Sequence, residues 1–246
     1  MSTPIEQITQ IAAGSDIARF NFKDRGVPPA GYIKGMAVVY ARVFCKLKAG
    51  EAAAIEMAKA KTANANKDAL TFYDQNFADS GMNNNTDGVD TLRHLFVLLT
   101  GLGMRESSGR FCEGRDRSAS NVTADTAEAG LFQASFNART SSPLLTTIFN
   151  KYSANPAGFI EVFREGVICK PKDLENFGSG DGEKFQRLSK ECPAFAVEFA
   201  AVTLRNMRKH FGPINRKEAQ IRRECDVMLK AVQQAVETSN LCPAFQ

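Results

Sequence analysis

Apolar residues recur every three or four positions through residues 33–47, 89–102 and 195–207, the period of a helix with a buried face. Alternation of the strand kind is scarce. Proline follows Ser142, Asn155 and Cys192, which predicts three helix starts, because the first helical position has no use for an N–H. Asn215 followed by Glu218 has the form of a capping box opening a last helix, while Gly212 and Pro213 close the helix before it. The pattern predicts a mainly α fold. Less regular stretches cover 62–67, 79–88, 107–127 and the glycine-rich 170–182. The tract Asn83-Asn84-Asn85 is the best linker candidate, dividing the chain into a helical extension over 1–85 and a main domain over 86–246.

The chain has 246 residues, 43% of them hydrophobic, enough for a sizeable core, and a formal charge of +4. That mild excess suits an anionic polymer but not the dense basic stripe of a nucleic-acid binder, so no nucleic-acid partner is expected. The longest apolar run, Leu95 to Leu99, is a core segment and far short of the roughly 18 residues that span a bilayer. Residues 1–10 are polar and lack the regions of a secretory signal, so a removed signal or another export route is expected for any exported role. The six cysteines are widely spaced without a Cys-x-x-Cys pair, and there are two histidines, so neither a metal nor a cofactor is expected. Six cysteines allow up to three disulfides or buried thiols, and the sequence leaves that choice open.

Chemistry concentrates between Gly101 and Arg139. The predicted helix ends at Glu106, and a carboxyl group at the end of a buried helix is partly desolvated, which raises its pKa and keeps it able to donate a proton near neutral pH. The plainer alternative pairs Glu106 with Arg105 or Arg110 at the surface. Asp116, between Arg115 and Arg117, reads as part of a solvated charge cluster. His94 reads as a core histidine, and His210 as a ring whose protonated form suits a helix end. A Cys112 nucleophile with His94 or His210 as base is a rival without supporting spacing; a disulfide holding the loop is the simpler role for Cys112.

Glu106-Ser107, followed downstream by Gly130-Leu131-Phe132-Gln133, resembles the paired motifs of goose-type lysozymes and soluble lytic transglycosylases, with Phe132 where methionine is usual. The resemblance implies a lysozyme-like helical domain behind an amino-terminal helical extension. It implies cleavage of the β-1,4 bond between N-acetylmuramic acid and N-acetylglucosamine of peptidoglycan strands. Glu106 would be the catalytic acid and base, Ser107 would support it, and Gly130, Leu131, Phe132 and Gln133 would line the sugar groove. The family's downstream Tyr-Asn pair is not evident, since Tyr152 comes too early. Asp125 and Glu128 are the candidates for a second carboxylate, and Ser135 stands where goose-type enzymes carry a further aspartate. Hydrolysis with inversion needs that second group roughly 6.5 to 9.5 Å from the acid, whereas a transglycosylase uses one Glu twice. Chitin hydrolysis and a non-catalytic glycan-binding module are the alternatives. A periplasmic or extracellular site of action follows from such a substrate, with a delivery or immunity partner in view.

Overall fold

The computed structural model of the chain describes residues 2–118 and 122–245. Among them, eight helices have seven residues or more: α1 (Pro4–Gly14), α2 (Ala30–Lys48), α3 (Ala52–Ala58), α4 (Val89–Ser107), α5 (Pro143–Ala154), α6 (Gly180–Glu191), α7 (Pro193–Asn206) and α8 (Arg223–Thr238). The described residues form no strand; two isolated antiparallel bridges, Phe22 to Gly26 and Ala129 to Ala134, close tight turns. The mainly α expectation is met, and the three periodic stretches are α2, α4 and α7. No helix of the described residues is long and apolar enough to cross a membrane.

Two of the three proline starts open helices. Ser142 accepts from the Leu144 N–H at 3.3 Å ahead of Pro143, and Pro193 opens α7. Pro156 opens none. Asn155 instead ends α5, Phe159 turns with φ 57°, and the Gly158 carbonyl accepts from the Ala194 N–H at 3.2 Å, so this segment caps the start of α7. The expected capping box at Asn215 is also absent. Asn215 is the last residue of a one-turn helix, Gly212–Asn215, which Gly212 and Pro213 begin instead of ending the one before. The next helix waits until Arg223 because the intervening chain lies flat on α4: a Cβ on Gly101 would stand 2.4 Å from the Gln220 carbonyl oxygen. The glycine-rich stretch is not all loop either, since α6 starts at Gly180.

The helix α4 is buried continuously from Thr91 to Met104, with α2, α3, α7 and α8 around it. A single hydrophobic core takes residues from both sides of position 85, Tyr40 of α2 meeting Phe96 of α4 with ring centroids 5.2 Å apart. A second aromatic group, Phe149, Phe185, Phe195 and Phe199, packs α5, α6 and α7 together. Two disulfides form, Cys45–Cys242 between α2 and the carboxyl-terminal segment and Cys112–Cys169 between two loops, whereas Cys192 and Cys225 are buried thiols.

Charges inside this core are matched. Arg205 at the end of α7 grips Asp68 with two nitrogens at 3.0 and 3.1 Å, and its remaining donors reach the carbonyls of Met57, Lys59 and Ala60. Lys46 and the Tyr152 hydroxyl both donate to Glu198, at 2.5 and 2.7 Å. Removing one partner of such a pair strands the other away from water. Asp68→Ala is therefore expected to lower unfolding free energy by about 3–5 kcal/mol, measured by urea denaturation; a loss below about 1 kcal/mol would mean the pair behaves like an exposed one.

Candidate functional site

The helix α4 ends where Ser108 turns left-handed at φ 54°, with its N–H on the Met104 carbonyl at 3.0 Å and the Gly109 N–H on Gly103 at 3.2 Å. This closure fixes the two residues before it. Ser107 turns inward and is buried, while Glu106 is half-buried at the rim. The Ser107 hydroxyl lies 3.0 Å from the Gly103 carbonyl and 2.9 Å from that of Leu131, so it joins the acid's own helix to the second motif. The two motifs picked out in the sequence are thus in direct contact.

The second motif is a tight turn between Ala129 and Ala134, closed by the Ala129 N–H on the Ala134 carbonyl at 3.0 Å. Gly130 sits at φ 75°, and a Cβ there would stand 2.6 Å from the Ser189 carbonyl oxygen, so the position has neither the backbone nor the space for another residue. Gln133 is also left-handed, at φ 48°, and its amide nitrogen donates to the Gly130 carbonyl at 3.0 Å. Leu131 and Phe132 are fully buried and belong to the core. Their side chains do not present a wall to a ligand; what this turn can offer outward is backbone and the half-buried Gln133.

A third segment holds the turn. The Glu113 carbonyl accepts from the Gly130 N–H at 2.8 Å and lies 3.4 Å from the Gln133 amide nitrogen. Glu113 follows Cys112, whose disulfide to Cys169 anchors the loop. Arg110 reaches both Glu113 and Asp173, and Arg117 donates to the Lys172 carbonyl at 3.1 Å.

Neither arginine beside Glu106 is available to neutralise it. Arg105 is taken by Glu218 at 3.1 Å and Asp24 at 3.6 Å, and Arg110 by Glu113 and Asp173. Among the described residues Glu106 forms no ion pair. Burial, and next the nearby Glu128 carboxylate, push its pKa up to about 8; Arg216 and Arg25 pull it down, and Glu218 adds to the rise. Glu128 is itself pushed up, by burial and then by Asp116. The salt-linked Glu218 behaves oppositely, its hydrogen bonds from Arg216 and then Arg105 holding it down to about 2. A carboxyl that stays protonated at neutral pH beside a second carboxyl is equipped to give and take a proton.

The other candidates separate cleanly. Asp125 is half-exposed and turned to Arg139 at 3.9 Å, and it is not among the charges acting on Glu106. Asp116 accepts from the Ser118 N–H at 2.8 Å in a local turn at the surface. His94 is buried, with Nδ1 3.0 Å from the Asn84 side-chain oxygen. His210 does not carry the proton expected of it: Nε2 accepts from the Ser135 N–H at 3.3 Å, and burial lowers its pKa. Cys112 is oxidised, and burial raises the two free thiols, Cys192 to about 11 and Cys225 to about 12, which leaves no ready thiolate. Arg25 and Arg216 were not singled out in the sequence; both come from chain segments distant from Glu106, and nothing local marks them.

The folded chain holds the Glu106 proton more tightly than the unfolded chain, in which a glutamate titrates near its ordinary 4.5. Its contribution to stability is therefore full below pH 4.5 and is lost as pH rises to about 8. Glu106→Gln removes that loss, so the variant should gain on the wild type progressively across this interval; urea unfolding at several pH values checks it, and a pH-independent difference would contradict the raised pKa. No protein family, curated protein or solved structure matches the chain, so the lysozyme-like reading rests on the two motifs and their geometry.

Proposed function

We propose that this chain is a peptidoglycan-cleaving enzyme on a lysozyme-like helical domain, cutting the β-1,4 bond between N-acetylmuramic acid and N-acetylglucosamine with Glu106 as general acid and then general base. One observation carries the reading: an unpaired carboxyl with a pKa near 8 is locked through Ser107 to the turn over residues 130–133. A module that only binds glycan has no need of a carboxyl kept neutral at this cost in stability. Chitin, which shares the N-acetylglucosamine unit, is the alternative substrate.

In the first step the Glu106 proton passes to the glycosidic oxygen as the bond from that oxygen to the anomeric carbon breaks. The 6-hydroxyl of the muramic acid then bonds to the anomeric carbon and returns its proton to the Glu106 carboxylate. No water is consumed, and the product ends in a 1,6-anhydro ring. Ser107 acts as a positioning residue here, since its hydroxyl fixes the last turn of α4 against the second motif. A hydrolytic route is the second reading, and one specific feature supports it. Glu128 has no ion partner among the described residues and is the nearest carboxylate in its effect on Glu106, so it is the candidate to take a proton from water. Asp125, turned to Arg139, is the weaker candidate. Two disulfides suit an oxidising compartment, in keeping with a periplasmic or extracellular site of action.

The test is incubation of purified peptidoglycan with wild type and Glu106→Gln, followed by mass spectrometry of soluble products. Anhydro-muropeptides from wild type, reduced on the order of 10²–10⁴-fold in Glu106→Gln, are the expected outcome. Hydrated reducing ends would transfer the assignment to hydrolysis, and absence of any Glu106-dependent product would sink the reading. Activity should also fall as pH rises past about 8, when the acid is lost. Glu128→Gln removes a like charge, so this alkaline limb should move to lower pH; a limb that stays in place would separate the two carboxylates.

A further inference from the structure

A cleft of about 340 Å³ is lined by Cys169 of the Cys112–Cys169 disulfide and by neither Glu106 nor the turn over residues 130–133. Its floor is apolar, formed by Phe111, Ile160 and Leu174, and Leu174 is 52% exposed although large and hydrophobic. Three cations line it, Arg164, Arg187 and Lys190, together with the carboxylate of Glu191, and the carboxylates of Asp173, Glu183 and Glu175 also act on Lys190. Arg164 is paired with Glu161, whereas Arg187 is exposed and has no ion partner among the described residues. Lys190 is only 3% exposed. Its ammonium donates to the carbonyls of Asp173 and Glu175 at 3.0 and 2.8 Å, leaving one of its three N–H donors over.

Asn176, which lines the cleft, has an unused acceptor. Asn176 gives its amide nitrogen to Glu183 at 3.2 Å, while its side-chain oxygen is buried without a hydrogen-bond partner. A buried acceptor left unpaired is costly, and an N–H from a ligand would relieve that cost. Burial pushes the Lys190 ammonium down to about 8 although Glu191, Asp173, Glu183 and Glu175 pull it up, and a bound anion would offset more of the burial.

A ligand matching these features needs three parts: an anionic end for Arg187 and Lys190, an N–H for the Asn176 oxygen, and an apolar body for Phe111 and Leu174. The end of a peptide supplies all three in sequence, as carboxylate, amide and side chain. We infer that this cleft binds the carboxyl-terminal end of a short peptide whose last side chain is apolar. Its size accords with a ligand of one or two residues, since a pocket of about 300 Å³ is near the lower bound for small-molecule sites. The cleft depends on no part of the glycan-cleavage reading.

The probe is N-acetyl-alanyl-leucine, titrated into the intact protein with amide chemical shifts followed by NMR, beside the same peptide ended as a carboxamide. Saturable shifts at Phe111, Leu174, Asn176 and Lys190 are expected, with the carboxamide at least about tenfold weaker, equal to roughly 1.4 kcal/mol. Arg187→Glu, an exposed position that leaves the core intact, should weaken the free acid by a similar factor and leave the carboxamide unchanged. Glu106→Gln should bind the probe as wild type does, so failure of the cleavage assay and failure of this titration are separate results. Absence of saturable shifts, or equal binding of acid and carboxamide, would overturn the assignment.

Discussion

A helix enclosed on all sides has only its ends at which to hold a polar group, and α4 is such a helix. Its interior turns are occupied by α2, α3, α7 and α8, and Gly101 lets the backbone near Gln220 rest directly on it. The last turn is consequently rigid without being deep. Ser107 remains inside and is hydrogen-bonded, while Glu106 stands at the rim where water is reduced but access is kept. An acidic residue is poorly suited to the negative end of a helix, and here the neighbouring arginines, which would ordinarily compensate, are drawn off by Glu218, Asp24, Glu113 and Asp173. The high proton affinity of Glu106 comes first from burial and next from Glu128, and the arginines that flank it in sequence are engaged elsewhere.

The support behind the acid runs through backbone groups more than side chains. From Glu106 the path passes by the Ser107 hydroxyl to the Leu131 carbonyl, from Gly130 to the Glu113 carbonyl, and from Cys112 across the disulfide to Cys169. Backbone carbonyls are fixed by the fold and cannot rotate away, so this arrangement holds the turn in one position. It also explains why Leu131 and Phe132 are core residues. Their burial anchors the turn from below and leaves Gly130 and Gln133 to set its outer geometry.

Much of the architecture could be read from the chain because long helices advertise themselves by period: α2, α4 and α7 each lie over a run of regularly spaced apolar residues. The motif pair was also readable, since Glu106 and Gly130 are marked by residue type and order. Short-range signals failed where a distant segment competed for the same atoms. Pro156 had the form of a helix start, yet Gly158 is used as a cap for α7; Asn215 and Glu218 had the form of a capping box, yet Glu218 is claimed by its neighbour Arg216 and by Arg105, far away in the chain. Which loop carboxylate acts on Glu106 depended on how the loop folds back, which spacing does not encode. The disulfide pairing was likewise a matter of which loops meet.

The bond between Cys45 and Cys242 spans 197 positions and fastens α2 to the segment that follows α8. Helix α2, which bears Cys45, is packed by α1 before it and by α8 near the other terminus. During synthesis, the face of α2 that α8 covers therefore stays open until that helix has emerged, and the covalent tie cannot close before Cys242 has left the ribosome. A chain cut before α8 lacks both that helix and the thiol that ties α2 to the segment after it.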